Sequence, residues 1–237
     1  NKLLYTKKFY NSAYTSENSY ASTYGKHRDF LEFNFKQYKI LKEYSKKLKI
    51  IFFATPFDFS SVDFLEKLNT PCYKIASGDL TNTVLQKYIA QKQKPVFLST
   101  GGGTLKDIDR AVKNILKYNK KLVVLHCTAS YPADVSDMNL NIITQLKKKY
   151  KNLIIGLSDH ENGIDAASVA YMLGARVFEK HFTINRSWKG TDQSFSLEPI
   201  GLKKLVRNIN RIPILLGSSK KYLLKSEKNA VHKMSKS

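Results

Sequence analysis

Short unbroken apolar runs, separated by amphipathic stretches, set the pattern of this chain. Ile50-Ile51-Phe52-Phe53-Ala54 is apolar throughout, as expected of a strand buried on both faces. Runs of the same kind recur at 72–76, 96–98, 122–125, 153–157 and 176–178. Between them, apolar residues fall at helical spacing: Val62, Phe64, Leu65 and Leu68 behind a Ser60-Ser61 cap, then Val84 to Ile89, then Ile108, Val112 and Leu116. Leu140 to Leu146 continues the series, and a small-residue helix from Ala166 to Leu173 is closed by Gly174. A helix through Phe35, Tyr38, Leu41, Tyr44 and Leu48 precedes the first run, and a last one spans 201–216, interrupted near Pro213. Residues 1–30 show no clean period. With Tyr5, Phe9, Tyr10, Tyr14, Tyr20 and Tyr24 they are too aromatic for a disordered tail and predict a long ordered loop of the kind that carries function.

Six strand–helix units in succession predict an α/β protein with a parallel sheet, either an open doubly wound sheet or a closed (β/α)8 TIM barrel. No strand is followed by G-x-G-x-x-G. The nearest match, STGGGTL, has contiguous glycines and no lysine-Ser/Thr ending, so a nucleotide-binding turn is not supported. Polar residues follow every strand instead, which favours a barrel with its site spread around the mouth. Six strands leave such a barrel short of two.

Composition narrows the picture. The chain has 237 residues, 42% of them hydrophobic, enough for one sizeable core. Its two cysteines, Cys72 and Cys127, lie in or beside apolar runs and read as buried thiols in a reducing compartment. With no apolar stretch long enough to span a bilayer and no signal-like segment, a cytoplasmic protein without membrane contact is expected. The net charge of +21 invites a nucleic-acid reading. Its lysines are scattered over the polar faces of helices, however, and no recognition motif accompanies them, so no nucleic-acid partner is expected. A positive field would still draw in a small anionic substrate.

The candidate chemistry stands at the strand ends. In order these are Thr55 and Asp58; Lys74, Ser77 and Asp79; Ser99 and Thr100; His126, Thr128 and Tyr131; Ser158, Asp159 and His160; Lys180, His181 and Asp192. Hydroxyls, a lysine and glycine-freed amides suit a phosphate cradle. Lys74 sits within a strand, where a lysine is costly unless it points into a polar mouth or meets an anion. Singly, the serines and threonines are ordinary turn formers, and a lone histidine is more often a strand-end hydrogen-bonding group than a ligand. His160 and His181, however, end successive strands. The carboxyl ends of adjacent parallel strands face one cleft, and two imidazoles there suit a catalytic divalent metal.

The segments IFFATPFD, YKIASGDLTN, LSTGGG, HCTASYP with DMNL, GLSDHENG and EKHFTINRSWKGTDQSFSLEP resemble the sialic acid (N-acetylneuraminate) synthases, from about Tyr24 onward. The resemblance implies condensation of phosphoenolpyruvate with open-chain N-acetylmannosamine, an N-acetylated hexose, with release of phosphate. It implies Mn²⁺ (or Mg²⁺ or Co²⁺) on His160 and His181, polarising the sugar aldehyde. By the same resemblance Lys74, Ser77, Ser99 and Ser158, with Thr55 nearby, hold phosphoenolpyruvate, and Tyr131 and Asp192 contact the sugar. Lys74, Asp79, Tyr131 and Asp192 are the expected catalytic residues. Asp79 matches a position often held by glutamate, and Ala129 replaces an asparagine, which removes one expected phosphate contact.

The family pattern also implies a strand–helix–strand segment ahead of Asn1, so residues 1–219 are expected to form a barrel domain lacking its first two strands. Residues 220–237 are expected to be a linker towards an antifreeze-like domain, and a homodimer is implied for the full-length protein. Synthesis of a related nonulosonic acid, legionaminic or pseudaminic, is the alternative acceptor reading. An inactive remnant that still binds phosphoenolpyruvate is the alternative outside enzymes.

Overall fold

The computed structural model describes residues 4–234; the ends of the two expected segments, 1–3 and 235–237, lie outside the described residues. Five strands form one parallel sheet: β1 (Tyr73–Ile75), β2 (Val96–Ser99), β3 (Leu122–Cys127), β4 (Ile154–Asp159) and β5 (Val177–Lys180). They lie side by side in chain order. No reversal of order occurs, so there is no switch point of the doubly wound kind. Each strand instead passes to its neighbour through a helix, which gathers the helices on one face and curls the sheet, the barrel mode of winding.

A single ion pair reports the curl. Lys74 on β1 reaches Glu179 on β5, with Nζ 3.4 Å from Oε2. In a flat sheet at about 4.8 Å per strand these edges would stand roughly 19 Å apart. The register shows which residues share that inner face. Lys74 pairs with Phe97, Ser99 with Leu125, Cys127 with Ser158 and Ser158 with Glu179. Paired residues of a parallel ladder point the same way, and so do residues two apart along a strand. Lys74, Ser99, Cys127, Ser158 and Glu179 therefore form one inward polar row.

The opposite face carries Ile75, Val96, Leu98, Leu122, Val124, Ile155 and Leu157, which make the main core with the helices. Helices α1 (Lys7–Tyr10), α2 (Tyr24–Leu31) and α3 (Phe35–Lys47) precede the sheet, and α4 (Phe59–Lys67) leads into β1. The crossovers are α5 (Thr83–Ala90), α6 (Leu105–Leu116), α7 (Asn141–Lys149) and α8 (Asp165–Met172), followed by α9 (Pro199–Leu216) and α10 (Lys228–Met234). In α6, Ile108, Ala111, Val112 and Ile115 are buried, the i, i+3, i+4, i+7 stripe of a core-facing helix. A Thr104–Asp107 capping box starts it. No helix among the described residues is long and apolar enough to cross a membrane.

Several expectations change. Residues 50–54 are not a strand. Phe52 packs edge-on against Tyr38 and Phe53 stacks on Phe97, the side-chain alternation of a strand. Among the described residues, however, no ladder joins them to β1, and Ile50 and Ile51 are 61% and 72% exposed. An apolar run becomes a strand only by pairing. The tyrosine-rich segment contains α1 and α2 rather than loop alone. Asp58, not Ser60 or Ser61, caps α4, its carboxylate accepting from Ser61 N. Helix α9 runs through Pro213 without a break, because the residue lies exposed in the last turns, where a lost backbone bond is easily replaced by water.

Candidate active site

Parity along the strands continues past their carboxyl ends. His160 stands two residues beyond Ser158 and His181 two beyond Glu179, and the two imidazoles meet with ring centroids 5.2 Å apart. Tyr131, on the loop after β3, lies over them at 4.2 Å from His160 and 5.9 Å from His181. Asp192 closes the other side, its Oδ2 3.7 Å from His181 Nδ1. Phe195, buried behind it, packs 5.0 Å from the His181 ring. The convergence expected from two successive strand ends is thus present.

The donors are oriented. His160 Nδ1 lies 2.8 Å from the Thr128 carbonyl. A carbonyl only accepts, so Nδ1 carries the proton and Nε2 keeps its lone pair. Burial lowers the affinity of His160 for a second proton, but bonding to the Cys127 thiol and the Thr128 carbonyl outweighs it and holds the group above its ordinary value. His181 is held below its ordinary value, chiefly by burial against the opposing pull of Asp192. Among the described residues no group of three or more His, Cys, Asp or Glu side chains is disposed to hold a metal. Two imidazoles, one with its tautomer set by a backbone carbonyl, fit a divalent ion that leaves its remaining positions open to water or substrate.

Below the imidazoles lies the inward polar row. Cys127 Sγ is 3.9 Å from His160 Nδ1 and accepts from Ser77 Oγ at 3.4 Å. Ser77 Oγ accepts in turn from the Gly101 amide at 3.0 Å. A Cβ on Gly101 would come within 2.8 Å of Ala129 Cβ and 2.9 Å of Cys127 Sγ and of Ser77 Oγ, so glycine alone lets this turn approach so closely. Burial raises the Cys127 thiol, but its bonds with His160 and Ser77 bring it below the usual range. Ser99 Oγ and Glu179 Oε2 are buried without a hydrogen-bond partner. Lys74 is 7% exposed, with Glu179 as its counter-charge. It points inward, as a lysine serving an anion in the mouth would.

Not every candidate joins this cluster. Thr55 and Asp79 line a neighbouring cavity of about 880 Å³, walled on its other side by Tyr24 and Arg28. Burial raises the Asp79 carboxyl, against a bond from Asn82. His126 faces the helices and holds the Met138 carbonyl at 2.7 Å, so it is structural. Asp159 and Lys180 also point outward, forming a buried ion pair at 2.8 Å. Ser158 is inward and buried, as expected. Sequence reasoning passed over Glu179 and treated Cys127 as inert packing. The spacing of two before His181 is the signal that places Glu179 on the site face.

The chain matches the model of the NeuB family over residues 1–221. It is 37% identical over 233 residues to the N-acetylneuraminate-9-phosphate synthase of Mus musculus, covering 98% of this chain and 65% of that protein. It is 40% identical over 210 residues to the N,N'-diacetyllegionaminic acid synthase of Campylobacter jejuni, covering 87% of this chain and 63% of that protein. The chain therefore spans somewhat under two-thirds of the length of these relatives. Among solved structures, the N-acetylneuraminic acid (sialic acid) synthetase of Leptospira borgpetersenii, in complex with citrate, superposes with a TM-score of 0.79 at 37% identity, covering 93% of this chain and 78% of that one.

Proposed function

Because the chain belongs to the NeuB family, we propose that it carries the catalytic residues of a nonulosonic acid synthase that condenses phosphoenolpyruvate with an open-chain N-acetylmannosamine. The observation that carries this reading is the meeting of His160, His181 and Tyr131 above a buried, inward Lys74. In the reaction, C3 of phosphoenolpyruvate bonds to the aldehyde carbon of the sugar. The oxygen of water adds at C2, the C2–phosphate oxygen bond breaks, and inorganic phosphate leaves a 2-keto acid.

Lys74 and the hydroxyls of Ser77, Ser99 and Ser158 receive the phosphate and carboxylate, with Thr55 at the edge. Charge-assisted bonds to an anion would use the unpartnered Ser99 hydroxyl. Tyr131 and Asp192 orient the sugar against the imidazoles. Asp79, its carboxyl raised by burial, is the group suited to hold a proton near the neighbouring cavity. His160 and His181 would hold a divalent ion such as Mn²⁺, which supplies Lewis-acid polarisation of the aldehyde when bound. Similarity to the Campylobacter relative supports a second acceptor, a diacetylated legionaminic precursor.

The test is phosphate release from phosphoenolpyruvate with N-acetylmannosamine and Mn²⁺, alongside Mn²⁺ binding followed by electron paramagnetic resonance. Loss of both in His181→Ala is the expected result. A folded chain that binds no Mn²⁺ and releases no phosphate with either acceptor would overturn the proposal.

A further inference from the structure

The loop after β5, which carries Asp192, is held at its tip by a distant part of the chain. Tyr20 donates its hydroxyl to the Lys189 carbonyl at 2.6 Å, and the Gly190 amide donates to Asn18 Oδ1 at 3.1 Å. The Lys189 ammonium lies 5.2 Å from the centre of the Tyr20 ring. Among the described residues, the hydrogen bonds that Lys189 and Gly190 make outside their own loop are these two.

The N-terminal side of the contact is braced. Residues 13–23 form a loop closed at its neck by an antiparallel bridge between Ala13 and Thr23, with the Tyr14 amide on the Ser22 carbonyl at 3.0 Å. Towards its tip, the Asn18 amide donates to the Ser16 hydroxyl at 3.2 Å and the Ser19 amide to the Ser16 carbonyl at 2.8 Å, a turn that presents the Asn18 side chain. The Tyr20 ring stacks on Phe30 with centroids 4.9 Å apart and on buried His27 at 5.9 Å. The Tyr20 amide donates to His27 Nδ1 at 3.1 Å. Held against α2 in this way, the phenol keeps one direction for its hydroxyl.

Asp192 lies between this contact and the base of its own loop. On the base side, Ser196 donates its hydroxyl to the Asp192 carbonyl at 2.6 Å, and the Thr183 hydroxyl bonds Gln193. On the tip side, Gly190 stands two residues away. Trp188 and Asp192 are exposed, so hydrogen bonds rather than core packing locate this stretch. The 3.7 Å approach of Asp192 to His181 is therefore set from both ends. A displacement of about 1 Å near a reacting group can cost on the order of a hundredfold in rate. Lys74, Ser77 and Ser99 lie on or just after β1 and β2, and among the described residues Asn18 and Tyr20 make no hydrogen bond to them.

We propose that the 13–23 loop is a clasp on the acceptor side of the site, and that Asn18 and Tyr20 are positioning residues that act on the acceptor through Asp192. The inference rests on the reading of Asp192 as a sugar contact.

The test reads the loop and the ligands separately. Trp188 is the chain's single tryptophan, so time-resolved fluorescence anisotropy reports the loop tip. The double variant Asn18→Leu with Tyr20→Phe keeps both side-chain bodies and removes both bonds. Asn18→Asp keeps an acceptor for the Gly190 amide. In native protein and in Asn18→Asp, Trp188 should turn with the whole molecule. The double variant should add a fast nanosecond component of about a quarter of the amplitude or more, with the melting temperature within about 2 °C of native. Calorimetric titration in the presence of Mn²⁺ should then show N-acetylmannosamine bound at least fivefold more weakly by the double variant, phosphoenolpyruvate within twofold, and Asn18→Asp close to native for both. A tip as ordered in the double variant as in native protein would overturn the clasp. A freed tip with both affinities unchanged, both weakened alike, or no native binding of N-acetylmannosamine would overturn the positioning role. The expected pattern of order and affinity in a chain that releases no phosphate would support the clasp and remove the synthase reading alone.

Discussion

Replacing Lys180 by methionine tests how the two imidazole-bearing strand ends are held together. Lys180 Nζ donates to Asp159 Oδ2 at 2.8 Å and to the Glu161 carbonyl, while Asp159 Oδ1 accepts from the Glu161 amide at 2.9 Å. The side chains are 7% and 2% exposed, and each directly precedes a candidate metal ligand. Methionine keeps the length of the stem but leaves the Asp159 carboxylate buried beside one backbone amide. Removing one partner of a buried pair costs about 3–5 kcal/mol, because the remaining charge is uncompensated. For a chain of this size that corresponds to a fall in melting temperature of roughly 6–20 °C. Urea denaturation should show a lower midpoint at unchanged slope. The double variant Lys180→Met with Asp159→Leu should recover most of the loss, since two apolar groups leave no charge stranded. A single variant that loses less than about 1 kcal/mol would refute the reasoning, as an exposed pair would cost so little. A double variant as unstable as the single would refute it too.

Further predictions follow from the same geometry. Gly156→Ala should destabilise by about 1–3 kcal/mol in urea, because its Cβ would lie 2.4 Å from the Val177 carbonyl oxygen, a backbone atom that cannot swing away; an unchanged midpoint would show that β4 and β5 separate freely. His126 is held below its ordinary value by burial, against the Met138 bond. Its folded pKa is depressed, so its stabilisation is complete above the unfolded value of about 6.5 and is lost as pH falls towards the folded one. His126→Leu should flatten that part of the stability–pH profile between pH 7 and 5, and an unaltered slope would sink the assignment. Glu66 is pushed up by burial but pulled lower overall by bonds from Lys94 and Tyr73. Its stabilisation is present above about pH 4.3 and lost as pH falls through the folded value, so Glu66→Gln should lessen acid sensitivity in a thermal scan.

Much of the scaffold was legible because each unit has its own period. Buried-strand runs at 72–76, 96–98, 122–125, 153–157 and 176–178 all coincide with strands of the sheet, and the helices between them follow a 3.6-residue stripe. The run at 50–54 misled because composition reports that a segment is apolar, not that it has a partner to pair with. His160 and His181 were visible because strand ends of a parallel sheet share a cleft. Their neighbours Asp159 and Lys180 looked equally chemical, and only the register turns them towards the helices.

The sequence by itself determined the alternation of strands and helices and the placing of two histidines at successive strand ends, since these rest on spacing within a few residues, whereas the side-by-side order of the strands came from the sheet itself. The tertiary structure decided which polar groups meet. The curl brings Lys74 to Glu179 from opposite edges of the sheet, the ladder puts Cys127 beside His160, and a bond between Tyr20 and Lys189 ties the N-terminal segment to the loop that carries Asp192. Those contacts join residues 33 to 169 positions apart, and no local period encodes them.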